Sequence, residues 1–441
     1  MKNLVTFAYI TSLLFYLAFA LTIGMSTAKR DFLNPLNIFI IYFSLTFFAL
    51  PAFQIENEGF RYRVGYSENA YFYGWLYLNV FIFIVIITYL MIINRVDVPR
   101  AGEVFNVHNW DKEDRRATNI LRIFVLIPNI FITLYFYKYI FLNGYSNYLA
   151  NRIILLSGKG YYISIILALI PFVLNEVVNL YQKSCLYKKK SHVWLLLFLL
   201  IIALIPGIVL GSRTNLILPF LLIILSYIHI KNKGALLSIK KIGLFSALIV
   251  MLIYFALWLE EYRQSLMADT KIEGSKSLLI KLAGGFGTAE NIFWWFDYAN
   301  GKMFYGSTLL PILVGLVPRL LWENKPFGGG PVFTNTIRPG SYNQGAENIS
   351  SLTTGFPFEF MMNFGFIGAI VGGMAFGGFL AFVYCYRRRI RNSIQYSIWM
   401  ILLYSTIMYL HSEVFGATSK LVGLLMPLFV SQILSKLSKK G

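Results

Sequence analysis

Cysteine, histidine and acidic side chains are scarce. In 441 residues there are 2 Cys, 4 His and 20 Asp plus Glu. Two cysteines far apart, Cys185 and Cys385, exclude a disulfide framework, and no Cys/His spacing suits a metal. No Walker motif and no HExxH occur, and no DxD-like pair lies on the outside face to hold a divalent cation. Charged residues make up only 13% of the chain, too few for a soluble domain of this length.

Hydrophobic residues fill the space that charge leaves. They reach 57% of the chain, with 39 Phe and 29 Tyr, and mean hydropathy is +0.63. Apolar runs of about 20 residues recur, the length that crosses a bilayer core as helix. Continuous runs exclude a β-barrel, whose strands alternate. The fold expected is an all-α polytopic integral membrane protein. Spans are read at 3–24, 35–53, 71–93, 118–141, 161–181, 193–210, 214–230, 242–259, 357–386, 394–410 and 418–435. That makes about 11 transmembrane helices, with room for more within 278–321 (11–14). Residues 3–24 are too long and too uniformly apolar for a signal peptide and read as the first span.

The net charge of +19 does not point to nucleic acid. More than half of the 39 Lys and Arg fall in alternate short loops: Lys29 and Arg30, the 95–116 loop, Lys183 to Lys190, Lys231 to Lys241, Arg387 to Arg391, and Lys436 to Lys440. That is the positive-inside pattern. It places the C-terminus in the cytoplasm, and the N-terminus and residues 260–356 outside. The chain divides into an N-terminal transmembrane bundle (1–259, about eight spans), an outside loop (260–356) and C-terminal transmembrane helices (357–441, about three spans). The loop holds equal numbers of acids and bases. Its ENIFWWFDYA (290–299) reads as an interfacial helix. Its 307–321 run, broken by Pro311 and Pro318, is short for a span and reads as a re-entrant candidate. In the cytoplasmic loop 94–117, DKEDRR reads as a solvated helix entry.

The chemistry-bearing residues gather on the outside face. Arg213 in GSRTN sits between two closely spaced spans. It is either a snorkelling arginine or an anion contact, such as to a lipid diphosphate, with helix amides beside it. Arg263, Arg319 and Arg338 carry the guanidinium fork that suits phosphate oxygens, against local ion pairing as the plain alternative. Glu260 is within helical pairing range of Arg263. Glu359 in PFEFMMNFG is a lone carboxylate at the start of a span. It is either a first-turn acid favoured by the helix dipole or a general base, since withdrawal from water suits that role. Glu347 in the polar loop is the second choice. His411, beside Glu413 in YLHSEVFG, is either structural or a proton-transfer aid. Arg122 and Glu176 receive no chemistry. Any diphosphate here must be neutralised by arginine.

GSRTN, then VPRLLWENKP, then the Gly-rich loop, then FPFEFMMNFGFIG, taken in that order, resemble the O-antigen polymerases (Wzy-type, oligosaccharide repeat-unit polymerases). The resemblance covers the whole topology, including one long periplasmic loop. It implies a GT-C-like glycosyltransferase of the bacterial inner membrane with its active face periplasmic. Such an enzyme joins repeat units carried on undecaprenyl diphosphate, with no metal and no cofactor. Its implied partners are undecaprenyl-diphosphate-linked oligosaccharides, membrane lipids and a chain-length regulator protein. By resemblance Arg213 and Arg319 match diphosphate contacts, Glu359 matches the acid of an E-x-x-x-N-F-G pattern, and Lys325 belongs to the matching KP turn. The mechanism expected is inverting displacement at the anomeric carbon. Two alternatives stand beside it. An O-antigen ligase would use a lipid A-core acceptor. A transporter or flippase of lipid-linked sugars would need charge spread along several spans, and these spans are almost charge-free.

Overall fold

The computed structural model describes residues 2–26, 33–57, 60, 62, 65–96, 115–156, 160–187, 193–231, 251, 254, 288–315, 317, 322, 325–342 and 351–438. Among these the chain is all helix and loop, with no strand. In chain order the helices are α1 (Lys2–Ser26), α2 (Pro35–Ser44), α3 (Leu50–Asn57), α4 (Glu68–Ile93), α5 (Arg115–Asn143), α6 (Tyr145–Leu156), α7 (Gly160–Leu167), α8 (Leu169–Tyr187) and α9 (Val193–Leu210). They continue with α10 (Arg213–Lys231), α11 (Ala289–Tyr298), α12 (Pro311–Val314), α13 (Gly329–Ile337), α14 (Phe356–Phe364), α15 (Gly368–Cys385), α16 (Ser393–His411) and α17 (Val414–Leu437).

Local chemistry sets the helix starts. Asn34 caps α2 by accepting the Leu36 amide at 2.9 Å, and Pro35 follows at the first helical position. Ser67 caps α4 through the Ala70 amide at 3.1 Å, and Asn392 caps α16 through the Gln395 amide at 3.0 Å. Helix α4 has 26 residues, about 39 Å at 1.5 Å per residue, more than the bilayer core requires. Nine helical segments among the described residues are long and apolar enough to cross a membrane, and the shorter apolar helix at 194–210 joins them. The protein is thus an all-α polytopic membrane protein. Ten of the eleven expected spans appear as helices. The eighth, 242–259, lies outside the described residues apart from Met251 and Tyr254.

Two hydrophobic clusters divide the bundle. One joins α1–α4 with α11, α14 and most of α15. The other joins α5–α10 with α16 and α17. The C-terminal helices therefore thread among the N-terminal ones rather than standing apart as a block. Helix α15 lies along α4, and α17 packs against α5 and α8. Arg122 of α5 ties to α8 through Glu176, with Nη2–Oε2 at 2.8 Å and Nε–Oε1 at 3.0 Å.

Glycines set the α4–α15 contact. A Cβ at Gly377 would stand 2.7 Å from the Val85 carbonyl oxygen and 2.8 Å from Thr88 Cβ, whereas one at Gly378 would meet nothing within 4 Å. Small residues permit this approach between membrane helices. Gly377→Val is expected to cost about 2 kcal/mol through overpacking. Gly378→Val serves as the control. Monodisperse protein recovered from detergent extracts should fall for the first and hold for the second.

Two expectations need revision, and one helix was not expected. The ENIFWWFDYA stretch is not an interfacial helix: Ala289 to Trp295 are buried. Its acids hold the loop before α4, with Glu290 Oε1 accepting the Tyr62 amide at 2.7 Å and the Tyr66 hydroxyl at 2.8 Å. Asp297 likewise accepts from the Ser67 amide at 2.7 Å. Within 307–321, the described part is turns followed by the single helical turn α12, while 318–321 lies outside the described residues. Helix α6, next to the α5 end, was not anticipated.

Candidate active site

Helix α14 begins at a sharp corner. Gly355 has φ of +73°, a conformation that L side chains rarely adopt, and Pro357 follows within the first turn. The Tyr77 hydroxyl on α4 holds the Pro357 carbonyl at 2.7 Å. This corner carries Glu359 into the protein, where it is fully buried. A buried carboxylate requires donors on both oxygens. Thr308 Oγ1 donates to Oε1 at 3.2 Å. Thr354 Oγ1 donates to Oε2 at 3.2 Å, and the Val414 amide at the start of α17 donates to the same oxygen at 2.8 Å.

One turn later Asn363 completes the arrangement. Its Nδ2 donates to Thr308 Oγ1 and to the Glu359 carbonyl, both at 2.7 Å. Its Oδ1 accepts the Gly306 amide at 2.9 Å. The backbones of Phe304 and Tyr305 also donate to the Met362 and Asn363 carbonyls at 3.0 Å. The i, i+4 spacing of Glu and Asn thus has a physical reason: both residues face Thr308 and fix the 304–308 segment against α14.

A second carboxylate lies beside the first. Glu413 precedes Val414 and is half-buried. Its Oε2 accepts the Gly330 amide at 2.7 Å, in the first turn of α13. The Gly328–Gly330 run makes this fit. A Cβ at Gly329 would stand 2.6 Å from the Glu359 carboxyl carbon, and one at Gly330 would stand 2.8 Å from Glu413 Oε2. Two helix starts, α13 and α17, therefore converge on two carboxylates, with positive helix ends stabilising the negative charge. Burial pushes the Glu413 carboxyl above its ordinary range, and the Gly330 amide draws it part of the way back. An aromatic wall backs the site: Phe333 of α13 meets Phe358 of α14 edge-on at 4.6 Å, with Trp295 at 5.7 Å from Phe358.

The other expected residues are distributed around this centre. His411 ends α16, two residues before Glu413, and is half-buried. Lys325 is buried, with its ammonium donating to the carbonyls of Gly315 and Val317 at 2.8 and 3.0 Å. It also lies over the Phe415 ring at 5.6 Å, a geometry that clamps the end of α12 against the start of α17. Arg338 is exposed at the far end of α13, about 13 Å from Gly329 by helix rise. Arg213 opens α10, in the other half of the bundle, and only its backbone is described. Arg263, Arg319 and Glu347 lie outside the described residues. Among the described residues no group of three or more His, Cys, Asp or Glu is placed to hold a metal ion.

Sequence reasoning named Glu413 only as a neighbour of His411, and missed Thr308 and Thr354. An acid immediately before an apolar run was the available signal for Glu413. The threonines carry no signal without the fold. Chemically, the site offers one sealed carboxylate that organises four segments, and an adjoining carboxylate with one oxygen committed to Gly330.

The chain matches the family model described as O-antigen polysaccharide polymerase Wzy over residues 2–439. No curated protein and no solved structure matches it significantly.

Proposed function

Because the chain belongs to the O-antigen polysaccharide polymerase Wzy family, we propose that it polymerises undecaprenyl-diphosphate-linked oligosaccharides at the periplasmic face of the inner membrane, by a GT-C-like inverting displacement. That family match, running nearly end to end, carries the reading. The Glu359–Glu413 centre supports it by supplying carboxylates where an acceptor hydroxyl must lose its proton.

In the proposed step the acceptor sugar oxygen attacks the anomeric carbon of the donor chain. The bond from that carbon to the diphosphate oxygen breaks, and undecaprenyl diphosphate leaves as the anion. The hydroxyl proton goes to the carboxylate pair. A general base must come within hydrogen-bond reach of the proton it takes. Glu359 is enclosed by its own donors, so Glu413 is the member that meets the hydroxyl, while Glu359 holds the surrounding segments in register. His411, two residues from Glu413, assists the proton's exit, and Glu347 is the second candidate to take the proton. Arg213, Arg319 and Arg338 neutralise charge on the leaving diphosphate, and Arg263 is a further candidate contact. Lys325 serves as the clamp already described.

Loss of the gene separates this reading from a ligase. A missing polymerase leaves single repeat units on the lipid A-core, whereas a missing ligase leaves long polymer on the undecaprenyl carrier. Arg319→Ala is expected to slow polymer formation about a hundredfold, as for a lost oxyanion donor. Chain-length ladders on gels check this, and an unchanged ladder would remove Arg319 from the site.

A further inference from the structure

A lysine sits in the second turn of the last apolar helix, well before its basic last turn. Lys420 of α17 lies two helical turns past Glu413, about 10 Å along the axis, within the candidate span Val414–Leu437. Its ammonium does not run out along the helix to water. It donates to Asn215 Oδ1 at 2.9 Å and stands 6.0 Å from the centre of the Tyr404 ring. Asn215 is itself buried. Among the described residues no carboxylate lies at ion-pair distance from Lys420. A cation in a membrane helix is costly without a counter-charge, and such residues line substrate paths. A neutral amide orients an ammonium but does not neutralise it.

The surroundings favour an anion. Asn215 belongs to the first turn of α10, where the first amide to bond back is Leu216, to the Ser212 carbonyl at 3.0 Å. The amides of Arg213, Thr214 and Asn215 therefore have no carbonyl of their own helix to meet. The backbone of Arg213 stands in the same turn. An ammonium with no carboxylate partner among the described residues, a helix start and an arginine position converge between α10 and α17, the helix that Glu413 precedes.

We propose that Lys420, oriented by Asn215, is a ligand for the diphosphate of a lipid-linked substrate, forming a subsite at the start of α10 that lies two turns deeper than Glu413. This assignment rests on the polymerase reading. Lys420 is a binding residue here, and it takes no part in proton transfer.

The test measures binding and turnover separately on purified full-length protein in detergent. Undecaprenyl diphosphate is titrated into wild type and variants, with phosphatidylglycerol and inorganic diphosphate as competitors. Lys420→Met is expected to weaken undecaprenyl diphosphate binding about tenfold or more, the worth of a charge-assisted contact. Lys420→Arg should restore most of it. Asn215→Asp supplies an internal counter-ion, strengthens the α10–α17 contact, and should also weaken binding; it keeps the question answerable where Lys420→Met does not fold. In turnover, Lys420→Met should raise KM. Wild-type affinity in Lys420→Met or in Asn215→Asp, or equal displacement by phosphatidylglycerol, would overturn the proposal. Wild-type protein that binds undecaprenyl diphosphate in this Lys420-dependent way but makes no polymer would sink the polymerase reading and leave the subsite standing.

Discussion

Glu359→Ala should remove most of the folded protein. The substitution leaves the Val414 amide and the Thr308 and Thr354 hydroxyls without their acceptor in a place closed to water. Each buried donor left unsatisfied costs about 1–3 kcal/mol, so three together approach the whole stability of a typical domain, about 5–15 kcal/mol. Asn363 would lose the register of Thr308 as well. Glu359→Gln keeps an acceptor oxygen but turns an amide donor toward one side of the site. It should therefore fall between alanine and wild type. The check is the thermal midpoint and the monodisperse yield in detergent across the three proteins. A Glu359→Ala protein as stable as wild type would show that the carboxylate does not hold these segments.

Glu413→Gln should do the opposite. Glutamine still presents an oxygen to the Gly330 amide, so folded yield should stay near wild type. It cannot take a proton. Losing a general base lowers rates by about 10²–10⁴-fold, and polymer formation should fall within that range. Glu413→Asp keeps the charge but withdraws it by one methylene from the α13 amide, and an intermediate rate is expected. The ladder of O-chain lengths in cells, normalised to the amount of protein in the membrane, provides the measurement.

The contrast between these neighbouring acids shows what the sequence carries and what it does not. Glu359 is legible because it is a lone acid opening an apolar run, and the asparagine four residues on marks its helix face. Glu413 occupies a similar place before α17, yet its meaning depends on Gly330, 83 residues away. Lys420 is harder still. One lysine scarcely alters the hydropathy of a 24-residue helix, and its partner Asn215 is 205 residues away. The aromatic and acidic pattern of α11 misleads for the same reason. Aromatics mixed with acids read alike at a membrane interface and in a packed interior, and the donors that decide between them, Tyr62 and Tyr66, lie more than 220 residues off. The spans themselves are local in sequence and were readable without partners. What they could not reveal is that α15 returns to lie along α4, a contact that depends on glycines meeting a helix nearly 300 residues earlier.

The central claim is that polymer grows at the Glu359–Glu413 centre and that Glu413 receives the proton. The most direct measurement takes purified protein and one synthetic undecaprenyl-diphosphate repeat unit, with products separated by size. Wild-type protein should build a ladder of repeat units and release undecaprenyl diphosphate. Glu413→Gln, at equal folded concentration, should release it at least about a hundredfold more slowly. A Glu413→Gln protein that builds the ladder at the wild-type rate would contradict the account.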